Sequence, residues 1–306
     1  MRPLSLTLVV LSLLTVISCE EQYVPQGPFW REIPVDMGDC HDINDIAPLS
    51  VDNVWLVGYD GVIYHYTGED SLKLYKPNKY TIYSVDMLDG GEGFACGEMG
   101  TLLHYAYTED YWEIMPSLYL GNLYDILMLS SDNVWAVGQD GNILHYDGED
   151  WQSVESGTTE DLRCIDGLSS DDIWTAGTGG VILHWDGTGW SKLESGAQHT
   201  YLTISDLKQV SSRKFYICGV YGLLAEYDNG LWTDIPTGLD SELTSLDING
   251  ELGFVVGAEG KILSLSGATA KLCYVVSNDA QLNSVVAKTP NEAWACGFNG
   301  NFLRYR

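Results

Sequence analysis

Seven times along the chain two glycines stand three residues apart: Gly58 and Gly61, Gly97 and Gly100, Gly138 and Gly141, Gly177 and Gly180, Gly219 and Gly222, Gly257 and Gly260, Gly297 and Gly300. Each pair follows an aromatic residue by three positions (Trp55, Phe94, Trp135, Trp174, Tyr216, Phe254, Trp294), so one unit recurs at roughly 40 residues, the period of a propeller blade. In the third unit, Ile126 to Ser130 is an apolar run followed by the turn residues Ser131-Asp132-Asn133. Val134 to Val137 is β-branched and aromatic, and Gln139-Asp140-Gly141 supplies a tight hairpin with its positive φ. Asn142 to Tyr146 and Trp151 to Val154 complete four antiparallel strands. One such sheet cannot bury both faces alone, whereas sheets stacked around a ring can.

The chain ends where a ring needs them to. Asn301 to Arg306 stop on the third strand of unit seven, and Phe29 to Ile33 match the fourth-strand pattern of Trp151 and Trp190. The spacing therefore predicts an all-β, seven-bladed β-propeller of four-stranded antiparallel blades over residues 29–306, its last blade completed by the N-terminal strand. Closure of this kind removes free sheet edges. Trp112, Trp151, Trp190 and Trp232 mark other fourth strands, while Leu72 to Tyr75 and Leu272 to Val275 serve without a Trp.

The run Asn133 to Gly138, then Gly141 to Gly148 and Trp151, resembles the BNR-type repeat of the photosystem II assembly-factor propellers and related bacterial lipoproteins. The resemblance covers nearly all of residues 29–306 and departs in its acidic box, shortened here to Asp147-Gly148-Glu149-Asp150-Trp151 and Asp186-Gly187-Thr188-Gly189-Trp190. It implies a propeller, and propellers host binding modules, hydrolases and lyases alike.

Met1-Arg2 and the apolar stretch Leu4 to Ile17 read as a signal sequence, too short to span a membrane. Val16-Ile17-Ser18-Cys19 resembles a bacterial lipobox, which makes residues 1–18 a lipoprotein signal peptide, Cys19 the lipidated first mature residue and 19–28 a tether. The expected location is the bacterial cell envelope, facing the periplasm or the cell exterior, with the lipid as the one membrane attachment.

Acids outnumber bases 43 to 15. From Tyr80 to Ser191 the sole Lys or Arg is Arg163, against twenty Asp and Glu, which excludes nucleic acid and anionic headgroups as partners. Basic proteins, cations and neutral glycans stay open. Cys96, Cys218 and Cys296 each precede the first glycine of a pair, where other blades carry Val or Ala, and read as buried hydrophobes. Cys40, Cys164 and Cys273 share no register, and one disulfide among them stays open.

His65, His104, His145 and His184 fall four residues after the second glycine of successive units. Equivalent atoms in adjacent blades lie about 10 Å or more apart against zinc–ligand distances of ~2 Å, so these side chains read as packing and edge hydrogen bonding rather than a metal ring. No calcium loop, Cys-x-x-Cys, phosphate loop or Ser-His-Asp arrangement can be argued from spacing, so the reading includes no metal and no cofactor. Of the five arginines of the mature chain, Arg31, Arg304 and Arg306 belong to the outer strands of the closing blade, Arg213 to a loop between first and second strands, and Arg163 stands apart, which removes the arginine cluster that a sialidase site requires.

The favoured function is binding or assembly scaffolding by a monomeric propeller that is not an enzyme. Its surface would combine the turns inside the glycine pairs (Tyr59, Asp60, Glu98, Asp140, Tyr221, Glu259, Asn299) with the loops leading into first strands (Tyr80, Tyr119, Glu160, Asp161, His199, Tyr201, Asp240, Glu242). Asp140, Glu160 and Asp161 read as loop residues without a core role. The alternative is a glycan-binding protein, or a glycan-active hydrolase or lyase using carboxylates at the channel mouth.

Overall fold

The computed structural model describes residues 29–37, 42–68, 71–193 and 201–306. Within them the chain forms seven four-stranded antiparallel sheets, arranged as blades around a central channel. The innermost strands are Ile43–Ser50, Ile82–Met87, Leu123–Ser130, Leu162–Ser169, Ile204–Ser211, Leu243–Asn249 and Leu282–Thr289. Five blades run through four consecutive strands in the manner of Leu123–Ser130, Asn133–Gly138, Ile143–Tyr146 and Trp151–Val154. Blade six does so with a longer fourth strand than its sequence suggested, Thr269–Val275.

Blade seven takes its outer strand from the other end of the chain. Trp30–Glu32 pairs antiparallel with Phe302–Tyr305, placing Trp30 opposite Tyr305 and Glu32 opposite Leu303. Flanking bonds from Phe29 N–H to the Arg306 carbonyl (3.1 Å) and from Ile33 N–H to the Phe302 carbonyl (2.7 Å) extend the clasp. Trp30 is buried edge-on against Phe254 of blade six at 5.0 Å, so the closing strand also seals a junction between blades.

The core lies between blades rather than within them. Trp55, Val57 and Ile63 of blade one pack with Ile82, Val85, Ala95 and Leu103 of blade two, and each further junction repeats that arrangement. The glycine pairs allow this density. A Cβ on Gly138 would stand 2.1 Å from the Asn122 carbonyl, so the first glycine of the pair is set by close approach. The second is set by conformation: Asp140 (φ 57°, ψ 28°) and Gly141 (φ 72°) form a type I′ turn closed by Asn142 N–H on the Gln139 carbonyl (3.2 Å).

Candidate functional site

The first residue of each glycine-pair turn bonds the carbonyl just before its own blade's inner strand, as Glu98 N–H does to Thr81 and Gln139 N–H to Asn122 (2.8 and 2.9 Å). Turns and inner-strand loops therefore share one face, as the sequence suggested. Tyr201 and Tyr221 are among its most exposed aromatics, and Asp60, Asp140, Glu160, Asp240, Glu242 and Glu259 are exposed. Tyr59 meets Phe298 of the neighbouring turn edge-on at 6.3 Å. Tyr80 and Tyr119 are half-buried, and the Tyr119 hydroxyl donates to the Gln139 carbonyl (2.7 Å). His199 and Cys19 lie outside the described residues, as does Cys40.

Several of these acids hold the face together. Glu98 accepts the Thr81 amide (3.2 Å) and Glu160 the Thr178 hydroxyl (2.7 Å). Asp161 departs from the expectation of a free loop residue: it accepts the Asp140 amide at one oxygen (3.0 Å) and Arg163 at the other (3.3 Å), stapling blade three's turn to blade four. Asp140 and Glu160 are the more exposed acids, and the Thr178 hydroxyl on Glu160 is a contact that a Gln oxygen can also accept.

Inside the rim, the second residue of each inner strand points into the channel. Asn44, Thr244 and Asn283 bond the carbonyl of the next blade's inner strand. Tyr83, Tyr124 and Arg163 instead lie against one another in sequence, the two rings tilted by 46° with centres 5.8 Å apart and the guanidinium 4.2 Å over Tyr124. They border a cavity of about 550 Å³ that also reaches Ser205, Glu242 and Thr244.

Deeper in the channel stand six aspartates that sequence reasoning did not single out. Asp45, Asp125 and Asp206 occupy the third position of their strands, and Asp86, Asp166 and Asp247 the fifth position of the strands between. Each third-position carboxylate accepts the following amide of its own strand and one from the next blade: Asp45 takes Ile46 and Val85, Asp125 takes Ile126 and Ile165, Asp206 takes Leu207 and Leu246 (2.7–2.9 Å). The fifth-position set reaches the next blade two residues deeper, Asp86 accepting Met128, Asp166 accepting Gln209 and Asp247 accepting Ala287 (2.7–2.8 Å), and Asp86 also takes the Met87 amide of its own strand. These amides form the inner edges of the sheets, so the carboxylates satisfy groups that would otherwise be orphaned.

Proton positions follow from donor counts. Asp45 receives four donors, the two amides and the Ser84 and Ser284 hydroxyls (2.9 and 2.7 Å). Ser84 has a single hydrogen, yet its oxygen also lies 2.7 Å from Asp125. Burial raises both carboxyls, Asp125's well above the usual range with the Asp45 charge added, and both contacts are satisfied when Asp45, with its four donors, is ionised and Asp125 carries the proton. Burial likewise pushes Asp86 up to about 6 and Asp206 up to about 7. Lys208 reaches Asp166 (3.5 Å) and Asp247 (3.3 Å), and chiefly the Asp166 charge raises its ammonium pKa. Carboxylates so engaged with backbone are supports of the ring.

The four repeated histidines stack on the aromatic residue opposite them in the second strand, at 4.0–4.5 Å between ring centres. Each Nε2 bonds an Asn, Glu or Asp twelve residues earlier (2.8–2.9 Å). That is the packing role expected of them. Among the described residues no group of three or more His, Cys, Asp or Glu is placed to hold a metal. Cys96, Cys164, Cys218 and Cys296 are buried free thiols, and Cys273 is an exposed one. The acidic turns are likewise structural: Asp147 accepts the Glu149 and Asp150 amides, and Asp186 those of Thr188 and Gly189.

No protein-family model and no curated protein sequence matches the chain. Solved structures do. One described as YCF48 bound to D1 peptide has a TM-score of 0.74 at 17% identity, covering 92% of this chain and 95% of that one. The likeness is one of fold. YCF48 from Cyanidioschyzon merolae gives 0.70 at 14% identity over 91% and 99% of the two chains. The WD40 β-propeller domain of Doa1 gives 0.76 at 15% over 90% and 96%.

Proposed function

We propose that this protein is a lipid-anchored, extracytoplasmic propeller of BNR-type repeats that binds or assembles a protein partner through its acidic, tyrosine-bearing face, without catalysing a reaction. The observation that carries the reading is the asymmetry of that face. Tyr201, Tyr221, Asp140, Glu160 and Asp240 project from it, while the channel acids beneath are engaged with backbone. Tyrosines among carboxylates suit a polar partner of opposite charge. A propeller of the same fold solved with a D1 peptide supports a peptide or protein as the class of ligand. Cys19, at the end of the signal-like stretch, supports the anchor and the envelope location.

The test is kinetic. Association with a partner isolated by crosslinking in the native envelope is expected to slow as salt rises, because a Debye length of about 8 Å at physiological ionic strength screens steering. Asp140→Asn with Glu160→Gln is expected to lower the on-rate at unchanged melting temperature; Asp161 is left in place because of its staple. Salt-independent binding that survives both changes would move the working surface elsewhere. For the anchor, Cys19→Ala is expected to abolish acylation and release the protein to the soluble fraction, and an unmodified wild-type mass would reject it.

A further inference from the structure

The seven blades are seven versions of one design, so a corner that departs from the others identifies itself. The middle residue of the type I′ turn is Asp60, Asp140, Gly179, Tyr221, Glu259 or Asn299 in six blades, and Met99 in blade two. Met99 holds φ 57° and is 51% exposed, a long apolar side chain where the backbone favours Gly, Asn or Asp. The loop beneath departs in the same direction. The carbonyl packed against the second glycine belongs to Asn78, Tyr119, Thr158 or Leu239. Its neighbours are Pro77 and Lys79, Gly157 and Thr159, or Gly238 and Asp240, but in blade two they are Leu118 and Leu120. These leucines are 84% and 74% exposed, on either side of the inward-turned Tyr119.

The turn and the loop adjoin through the backbone. Met99 N–H donates to the Asn122 side chain (3.3 Å), and Gly100 lies so close to the Tyr119 carbonyl that a Cβ would stand 1.8 Å from it. Acids surround the corner: Glu98 precedes Met99, Asp140 sits on the adjoining turn, and Glu160 follows on the next loop. The charges of Asp140 and Asp161 reach Tyr119 and, after burial, help push its phenol up to about 12. Arg163 is paired with Asp161, and Lys192 borders the cavity lined by Asp140 and Glu160, leaving the acids in excess. Exposed large apolar side chains in an acidic field fit a partner that is both apolar and positive, and an anionic lipid surface is repelled.

We propose that Met99, Leu118 and Leu120 form the docking site for a cationic amphipathic segment of a partner protein, its apolar side chains seated on these three and its Lys or Arg side chains facing Glu98, Asp140 and Glu160. The inference rests on the binding-face reading above and adds to it the blade and the chemistry of the partner.

The test uses the whole propeller and a fluorescent 14-residue peptide of Leu and Lys in amphipathic order, with a Leu–Glu peptide of the same pattern as control. At low salt the Leu–Lys peptide is expected to bind. The Leu–Glu peptide is expected to bind at least tenfold more weakly, and the Met99→Ser, Leu118→Ser, Leu120→Ser protein to lose at least tenfold. Met99→Asn separates binding from folding: Asn suits the left-handed turn, so the melting temperature is expected to rise by about 1–2 °C while affinity falls severalfold. No binding of the Leu–Lys peptide, equal binding of the Leu–Glu peptide, or full affinity in the triple variant overturns the proposal. So does a self-association in sedimentation that the triple variant abolishes, which makes the occupant a second copy. Flotation with zwitterionic vesicles that needs the leucines makes it a membrane and overturns it as well. If Tyr221→Ala and Asp240→Asn remove peptide binding while the blade-two variants do not, the face reading stands and this corner falls; if neither set changes it, both fall.

Discussion

At six of the seven blade junctions a channel aspartate accepts a backbone amide of the next blade, and at the junction from blade seven to blade one Asp45 accepts only the Ser284 hydroxyl. The difference is one of parity. Each inner strand presents two edge amides, at its fourth and sixth residues. A third-position carboxylate covers the fourth-position amides of two blades, leaving the next blade's sixth to a fifth-position carboxylate, so the two arrangements alternate. Seven is odd, and the alternation returns to blade one out of phase. The chain resolves the mismatch locally: Pro48 removes the sixth-position amide of blade one, Ser245 rather than an acid accepts Val285 N–H (3.2 Å), and Ser284 donates to Asp45 across the seam. Six junctions are held by carboxylates that bridge backbone amides, and the seventh by the Ser284 hydroxyl on Asp45 and the Asn283 side-chain amide on the Ile43 carbonyl.

The comparison is broken most severely at the clasp. Deleting Phe29 to Ile33 removes buried Trp30 and bares the edge of Phe302–Tyr305; loss of such a Trp alone costs about 3–5 kcal/mol, and calorimetry is expected to show a large fall in melting temperature. Next comes a clipped junction. Asp125→Ala leaves the Ile126 and Ile165 amides without their acceptor, about 1–3 kcal/mol each, whereas Ser284→Ala at the seam is expected to cost about 1 kcal/mol in urea unfolding.

Acidity sharpens the comparison further. Asp86 and Asp206 have folded-state values raised to about 6 and about 7 from 3.8, so between those limits the native chain holds protons that the unfolded chain has released. Stability is therefore expected to rise as pH falls from about 7 towards 5, by up to about 1.4 kcal/mol per pH unit for each titrating group, and to level off near the unfolded value. Asp206→Asn is expected to flatten the profile measured by denaturant melts, while seam variants leave it unchanged. The smallest effect tests parity itself. Val286→Asp places a carboxylate at the fifth position of blade seven, where Asp247 already holds Ala287 N–H and Pro48 offers none. It is expected to destabilise, and adding Pro48→Ala to recover about 1 kcal/mol by supplying an amide.

The ring was legible because its glycines do steric work that no other residue can do. At Gly138 close approach forbids a side chain, and at Gly141 the hairpin demands positive φ, so both stand unvaried in the repeat. The closing strand was legible for a similar reason: Trp30 repeats the fourth-strand tryptophan. The channel was harder to read. Asp45, Asp125 and Asp206 stand thirteen residues before the first glycine of their blade and Asp86 and Asp166 eleven, so the acid alternates between two columns of the repeat and fills neither throughout. Tyr83, Tyr124 and Arg163 were concealed by the bulge at the start of each inner strand. Strict alternation would turn them the same way as the buried Val85, Ile126 and Ile165, but the shifted register releases them into the channel. Of the face itself, exposure was readable and the staple at Asp161 was not, because its partners lie in two blades.

The clasp between residues 30–32 and 303–305 also sets a clock. Bringing segments so distant in sequence together has a closure entropy of about 5 kcal/mol from chain length alone, and the strand pair can form only after residues 302–305 have been synthesised and delivered. Blades one to six hold all four of their strands in unbroken sequence and can form in the order in which they emerge. Throughout that interval the first strand waits as an unpaired edge and blade six lacks the tryptophan that covers Phe254. Ring closure is therefore gated by residues 302–305, and a chain lacking them would hold a row of finished blades that cannot become a ring.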